Sequence, residues 1–393
     1  MSNKDFNEED YLLANPDVAA AVKQGRIISG HVHYTRYGEK EGRRMVKDNN
    51  ELSREKKALF LLDKHGAGLE IGPSHNPIAP KKEGYNVHIL DYMTAEELRN
   101  KYKDHVVHGV DIERIEEVDF VWKGEPYYEL IGKIECYDWI IASHAIEHMP
   151  DMVSFLQQCE KLLKPSGVLS LVIPDKRYCF DFFSPSSTSG AILDAYANNS
   201  KRPSPGQVFD YIANSVKRNG NIAWSADNDF GECELLHTFA HAQNLWGRSV
   251  AAEDYIDAHC WKFTPASFRL IISDLVNLNL CSLMIQREFD TTGCEFIVQL
   301  VKNTSSSNSL DRLTALQHIK DNHIKDINTE LYDMTLRLDS LSETLRDKKI
   351  IIDSLGQRVS GLQSDLHSMR LSSSWRFTAP LRRIKNIFCQ LLK

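Results

Sequence analysis

From Ile324 onward an apolar residue recurs at every seventh position: Ile324, Leu331, Leu338, Leu345, Ile352, Val359 and Leu366. Three residues further on, Ile327, Met334, Leu341, Leu355, Leu362 and Met369 form a second set, broken only by Lys348. Seven heptads with one polar seam position are a coiled-coil pattern. At 1.5 Å per residue, 324–370 would extend about 70 Å. A single helix of that length cannot cover its own stripe, so the sequence predicts self-association. The mixed Ile, Leu and Val seam leaves dimer and trimer both open, and Lys348 tunes register or strand number.

Upstream the period is different. Residues 55–301 alternate strand-like and helix-like segments. Expected strands are Ala67–Ile71, Asn86–Leu90, Val118–Trp122, Asp138–Ala142 and Val168–Ile173, with helices at Ala95–Tyr102 and Met152–Leu163. That alternation implies an α/β fold, a doubly wound and mostly parallel sheet covered on both faces. Cys281–Arg287 and Glu295–Val301, joined through Thr-Thr-Gly, read as a closing antiparallel hairpin. Residues 1–50 read as a small helical module, with a start at Asn15-Pro16-Asp17, helical spacing of Val18, Ala21 and Val22, breaks at Gly25 and Gly30, and a second helix near His33–Tyr37. Residues 302–323, opening on a Ser- and Asn-rich stretch, read as a linker before the coil at 324–370. A basic tail, 371–393, follows.

Composition narrows the classes. With 42% hydrophobic residues the chain can bury a sizeable core. A net charge of −7 argues against a general nucleic-acid binder. The eight cysteines include no C-x-x-C pair, which points to reduced thiols in a cytoplasmic protein and to no structural zinc. No apolar run follows a basic start, and no uncharged apolar stretch reaches 18 residues, so neither a signal peptide nor a membrane-spanning helix is expected.

The turn after the first expected strand, "GLEIGPSHNP" at 68–77, is poor in glycine. A pyrophosphate site wants G-x-G-x-x-G leading into a helix N-terminus, and here Pro73 and Pro77 offer no N–H. Asp91 ends the second strand twenty-one residues after Glu70, placed to accept hydrogen bonds from ribose hydroxyls. Ribose recognition without phosphate fits S-adenosylmethionine, whose positive charges suit a nearby Glu70.

Taken with "HILD" (88–91), "YDWIIASHAIEHMPD" (137–151) and "LKPSGVLSLVIPD" (163–175), the segment "LEIG" (69–72) resembles the class I S-adenosylmethionine-dependent methyltransferases. The resemblance covers about 55–301 and implies a Rossmann-like sheet. It places Glu70, Gly72 and Pro73 at the methionine end of the cofactor and Asp91 at the ribose. Tyr92 or Met93, with Val121-Trp122-Lys123, would lie beside the adenine, and Ser143 and His144 would close the site. Of the family's acid-x-Gly-x-Gly-x-Gly motif only the first glycine is kept.

Methyl transfer to a hydroxyl needs the acceptor's proton removed, and a histidine commonly does this. His148 and His144 are the candidates, and either can instead cap the helix starting near Pro150. The turn after the fourth strand is not the Asn/Asp-Pro-Pro-Tyr type of family members that act on exocyclic amines of nucleic acids. Lys176 and Arg177 could hold an anionic substrate group, or stand as a solvated basic pair. His237 and His241, four apart, could line a substrate pocket; with Glu234 and Asp229 they suggest a metal, but two helical histidines lack a clear third ligand, so none is expected there. Residues 184–265, with Trp224, Trp246 and Trp261, read as a substrate-covering insertion whose tryptophans could stack on sugars or fill a core.

From Trp375 the tail "SWRFTAPLRRIKNIFCQLLK" carries five basic residues and no acid, with Leu381, Ile384, Phe388 and Leu391 or Leu392 on one helical face. Such a helix can lie on an anionic membrane or pack on a protein. The coil with this tail, and the N-terminal unit, are similar to parts of bacterial surface-polysaccharide (O-antigen or capsule) assembly proteins. The resulting expectation is an O-methyltransferase acting on a sugar of a surface glycan or its lipid-linked precursor, cytoplasmic or peripheral on the inner face of the plasma membrane. Its partners would be further copies of itself, a glycan acceptor and glycan-assembly enzymes, not nucleic acid. Two alternatives stand beside it: a catalytically inactive scaffold of this fold, and a small-molecule methyltransferase.

Overall fold

The computed structural model describes residues 52–103, 110–225, 231–252, 254–302 and 312–391, with single residues and short runs between 8 and 41. It divides into two units, Met1–Gln317 and His318–Lys393. The expected helix start at Pro16-Asp17, together with Gly25, Asp229 and linker residues 303–311, lies outside the described residues.

In the N-terminal module, α1 (Gly30–His33) runs on into a π-turn over Tyr34–Gly38. The Glu8 carboxylate accepts from the backbone N–H groups of Gly30 and His31, covering the donors a helix start leaves open. Tyr11 is buried and its hydroxyl meets His33 Nδ1 at 2.9 Å.

A seven-stranded sheet forms the core of the first unit. Its strands are β1 (Gly68–Ile71), β2 (Val87–Asp91), β3 (Phe120–Val121), β4 (Tyr137–Ser143), β5 (Leu163–Pro174), β8 (Leu283–Thr292) and β9 (Glu295–Lys302), in the order β3-β2-β1-β4-β5-β9-β8. The first five are parallel, while β9 pairs antiparallel with both β5 and β8. The expected hairpin is therefore present, turning at Gly293 with φ +65°. Each central strand reads as a nearly unbroken apolar run because both faces are covered. Gly68 is required by packing, since a Cβ there would run into the Trp139 ring.

The covering helices follow local signals. Helix α2 (Arg54–Ala58) is capped by Ser53, and its last carbonyl, on Ala58, accepts from Ser170 Oγ (2.7 Å) and Gln299 Nε2 (3.0 Å) on the sheet. Helix α3 (Ala95–Tyr102) starts on a Thr94–Glu97 capping box. After α4 (Tyr127–Ile131), helix α5 (Met152–Leu162) starts on Asp151, which accepts from Ser154 N at 2.9 Å. It buries Met152, Phe155, Leu156, Cys159 and Leu162 on one face, each large side chain contributing about 1.5–3 kcal/mol.

Between β5 and β8 lie α6 (Ser189–Ala197), α7 (Pro205–Asn214), the small hairpin of β6 (Val216–Arg218) and β7 (Cys233–Leu235), α8 (Phe239–Ala251) and α9 (Pro265–Asn277). The strand order reverses between the parallel neighbours β1 and β4, and in an open α/β sheet ligands bind beyond the strand ends at such a switch point.

Helix α10 (Arg312–Leu371) is continuous over 60 residues. It begins before the expected coil, and β9 runs through Lys302, so the linker is shorter than the 302–323 read from sequence. The Ser- and Asn-rich stretch ends at the helix start, and Leu313, Ala315 and Leu316 beyond it favour helix, with Ala315 buried. A break at Ser372 separates α10 from α11 (Ser373–Phe377), and Thr378 separates α11 from α12 (Ala379–Leu391). No described helix is long and apolar enough to cross a membrane.

Candidate active site

Three chain segments meet beyond β1, β2 and β4. After β1 the chain turns at Gly72, with φ +65° and open space where a Cβ would stand. Ser74 follows, also left-handed at φ +49°. No α-helix lies between β1 and β2; residues 72–86 make turns and one 3-10 turn. The site therefore lacks the helix N-terminus that would favour a phosphate.

What replaces the missing glycines is a clamp. Glu70 is 0% exposed, and its two oxygens accept from the N–H groups of Ile78 (2.7 Å) and Ala79 (3.1 Å). Burial raises its carboxyl to about 7, against the pull of those two hydrogen bonds. Glu70 is shut off from the cleft and acts on the turn from behind. Asp91, also buried, accepts from Tyr92 N (2.8 Å) and Ser74 N (3.3 Å), tying the turn to the end of β2. Burial raises its pKa as well. Pro73 is buried within the turn. The Ser74 hydroxyl is buried without a hydrogen-bond partner.

Val121 is paired in register with Asp91, and Trp122 N donates to Asp91 O at 2.8 Å, so both flank the β2 end. The Trp122 indole donates to Glu125 O at 2.6 Å. Tyr92 is exposed, its hydroxyl meeting Lys101 Nζ. The open space at Gly72, the orphaned Ser74 hydroxyl and the buried carboxyl of Asp91 fit a cofactor with an uncharged ribose edge. The residues expected at the methionine, ribose and adenine ends are thus brought together.

At the end of β4 the structure gathers a second group. Ser143 Oγ accepts from Arg54 at 2.8 Å, and Arg54 Nε pairs with Glu295 at 2.6 Å. His144, left-handed at φ +49°, reaches Glu295 Oε2 at 2.7 Å. Strained backbone of this kind costs about 1–3 kcal/mol and gathers at functional sites. Burial pulls the His144 pKa down, but Glu295 and Glu147 raise it overall. His148 places Nδ1 at 2.9 Å from Asp257, and this pair, with nearby carboxylates, likewise outweighs burial and raises its pKa. Neither histidine caps the following helix; Asp151 does that.

The insertion delivers a third imidazole. Cys260 N (2.7 Å) and Trp261 N (3.1 Å) both donate to Glu147 O, seaming segment 258–261 onto the turn that carries His148. The His259 and His148 rings then stand edge to face at 4.6 Å. His259 is 5% exposed and its Nδ1 lies 2.6 Å from Asp181.

The expected substrate residues have other partners. Arg177 forks onto Asp175 (3.0 and 2.7 Å), and Lys176 donates to Phe182 O at 3.0 Å. Arg177 is thus ion-paired within its own turn, and the Lys176 ammonium is held on a neutral carbonyl. His237 and His241 stack at 5.3 Å at the start of α8 and are not part of the His148 group. Trp224 and Trp261 are buried, which leaves Trp246 as the exposed member of the three. Sequence reasoning missed Arg54, Asp181, Asp257, His259 and Glu295, because only tertiary packing joins them to β4.

A methyltransferase-domain family model matches residues 43–280. No curated protein matches. Among solved structures, the chain is similar to the PH0226 protein from Pyrococcus horikoshii OT3 (12% identity, 69% of this chain and 98% of that one, TM-score 0.32). Similarity extends to the CcbJ methyltransferase from Streptomyces caelestis (11%, 66% and 100%, TM-score 0.32). It also reaches a SAM-dependent methyltransferase from Aquifex aeolicus (19%, 32% and 66%, TM-score 0.22). At such scores these likenesses say nothing of what the chain acts on. The family match spans more than half the sequence, and the chain belongs to the methyltransferase-domain family as an S-adenosylmethionine-dependent methyltransferase of the class I type.

Proposed function

We propose that the acceptor is a hydroxyl of a sugar in a surface glycan or its lipid-linked precursor, methylated by a coiled-coil oligomer at the inner face of the plasma membrane. The observation that carries the hydroxyl is the His148–Asp257 pair at 2.9 Å. Asp257 orients the ring and leaves Nε2 to take the acceptor's proton. S-adenosylmethionine, when bound, supplies the electrophilic methyl group.

The residues of this chain do the rest. Gly72 and Asp91 seat the methionine and ribose ends, with Glu70 acting through the turn it clamps and Trp122 and Tyr92 flanking the adenine. Ser143 and the Arg54–Glu295–His144 group hold the β4 end. Segment 258–261, bonded to Glu147 O, fixes the wall beside His148 and would help orient the acceptor, which contributes to rate.

Two features of the second unit support the oligomer and membrane parts. The described seam residues from Leu338 to Met369 are exposed in the single chain, as a helix awaiting its partner would be. Helix α12 sets exposed Leu381 and Ile384 beside Arg382, Arg383 and Lys385, as an anionic surface would require.

The test is to incubate the full chain with methyl-labelled cofactor and, separately, lipid-linked oligosaccharides, polymerised surface glycan and a panel of soluble phenols and sugars. Mass spectrometry of hydrolysed product should find O-methyl sugar from the glycan fractions. Label appearing only in soluble metabolites would overturn the proposal.

A further inference from the structure

Glu147, His148 and His259 each offer a ligand atom, and these atoms all lie within 4.8 Å of one another. Glu147 is 0% exposed. Neither of its carboxylate oxygens has a hydrogen-bond partner, and His144 Nδ1 stands off at 3.6 Å. Burying a carboxylate this way costs several kcal/mol unless a cation is there to meet it. Lys262 does not meet it, because its Nζ donates to His259 O at 2.7 Å.

The two imidazoles are set up alike. An ionised carboxylate can only accept, so Asp257 at 2.9 Å and Asp181 at 2.6 Å both place the ring proton on Nδ1. In the neutral ring this leaves the Nε2 lone pair of His148 and of His259 open. A carboxylate holding the far nitrogen of a histidine is how metal-ligating imidazoles are oriented. Here the device occurs twice, beside a sealed carboxylate whose oxygens accept no hydrogen bond and meet His144 only at 3.6 Å.

We infer that Glu147, His148 and His259 form a metal centre for a first-row divalent transition ion such as Zn2+, Mn2+ or Co2+. Two imidazole nitrogens with one carboxylate suit such ions better than Mg2+ or Ca2+, which favour oxygen. Three protein ligands leave at least one coordination position open. Sequence spacing conceals the centre, because His259 arrives on the insertion, far along the chain from the Glu147-His148 pair.

The consequence for catalysis rests on the hydroxyl-acceptor reading; the metal site itself does not. The open position takes the acceptor oxygen, whose O–H is acidified and whose proton passes to solvent. An oxygen electron pair then forms the bond to the methyl carbon, and the carbon–sulfur bond breaks with its pair remaining on sulfur. The ion thereby takes over from His148 Nε2 the task of freeing that oxygen.

The full-length protein, stripped with a chelator, is titrated with Zn2+ by calorimetry and with Co2+ by visible absorption, without any acceptor. The expected result is one equivalent per chain, with ligand-field bands of a nitrogen- and oxygen-bound Co2+ ion. Glu147→Gln and His259→Ala should each lose this binding. Asp181→Asn, which leaves all three ligands in place, should weaken it by about tenfold, and His237→Ala should leave it unchanged. Circular dichroism and cofactor titration establish that each variant is folded; if Glu147→Gln is not, the wild-type stoichiometry and Asp181→Asn decide. Absence of a one-equivalent site in wild type, or binding that survives His259→Ala, or binding that follows His237, would overturn the inference. Stoichiometric binding without glycan methylation would uphold the centre and remove the acceptor reading instead.

Discussion

Glu70 and Ile78 are joined by a 2.7 Å hydrogen bond from backbone amide to buried carboxylate, and Ala79 donates to the other oxygen at 3.1 Å. A turn that would ordinarily be shaped by several glycines is here drawn into place from behind. Prolines at 73 and 77 then limit the backbone states the unfolded turn would otherwise sample.

The clamp carries a pH signature. Folding raises Glu70 from an ordinary 4.5 to about 7, so the folded state holds the proton more tightly than the unfolded chain. Its stabilising contribution is fully present below about 4.5 and is lost as pH rises through about 7. The shift corresponds to something on the order of 3 kcal/mol. Urea unfolding of the wild type against Glu70→Gln should therefore show a stability difference that changes between pH 5 and pH 8. Parallel curves would mean that Glu70 stays ionised throughout.

Asp91 is predicted to matter for cofactor affinity more than for folding. It is 2% exposed and sits where β2 ends against the turn. Hydrogen bonds to a charged group contribute about 1.5–3 kcal/mol, so Asp91→Ala should weaken S-adenosylmethionine binding by roughly 10- to 100-fold. Calorimetric titration gives the affinity, and circular dichroism checks the fold. Unchanged affinity would remove Asp91 from the ribose position.

How far the chain can be read without its structure depends on how local each signal is. Strand runs, the Thr94 capping box that starts α3 and the Gly293 turn of the hairpin are written within a few residues. The spacing of Glu70 and Asp91 sets both near the ends of neighbouring strands, although it could not show that Glu70 faces the turn and not the cleft. The Arg177–Asp175 fork lies two residues apart and was legible in principle, yet the Lys-Arg pair drew attention to an external anion. His148 and Asp257, by contrast, are 109 residues apart, and no local pattern in the segment 257–261 announces a site. Bonds between distant parts of the chain, among them those from Cys260 and Trp261 N to Glu147 O and the Trp261 indole to Met149 O, give that segment its place.

Self-association should depend on the seam. Ile352 and Leu355 are exposed in the single chain and occupy successive seam positions. Replacing both by Glu puts like charges from each strand into one buried layer, costing several kcal/mol. Sedimentation velocity should show the wild type as dimer or trimer and Ile352→Glu/Leu355→Glu as monomer, with cofactor binding unchanged. Lys348→Leu should raise the melting temperature of the oligomer, because it removes the one polar interruption. An oligomer that survives the double substitution would be held by another surface.

The tail should act as an address for anionic membrane. Trp375 and Arg382 are stacked with the guanidinium 3.7 Å from the ring centroid, and Arg382 also donates to Thr378 Oγ1 at 2.6 Å, bridging the break between α11 and α12. This leaves Leu381, Ile384 and Ile387 exposed on a segment without any acidic residue. Basic side chains near an anionic leaflet contribute about 1 kcal/mol each. Full-length protein should therefore co-sediment with phosphatidylglycerol vesicles and much less with phosphatidylcholine, and added salt should weaken the binding. Deleting 375–393 should abolish it while leaving oligomer size unchanged, because the seam ends before the deletion. Should the shortened protein bind the anionic vesicles equally well, the tail would have a protein partner in place of the membrane.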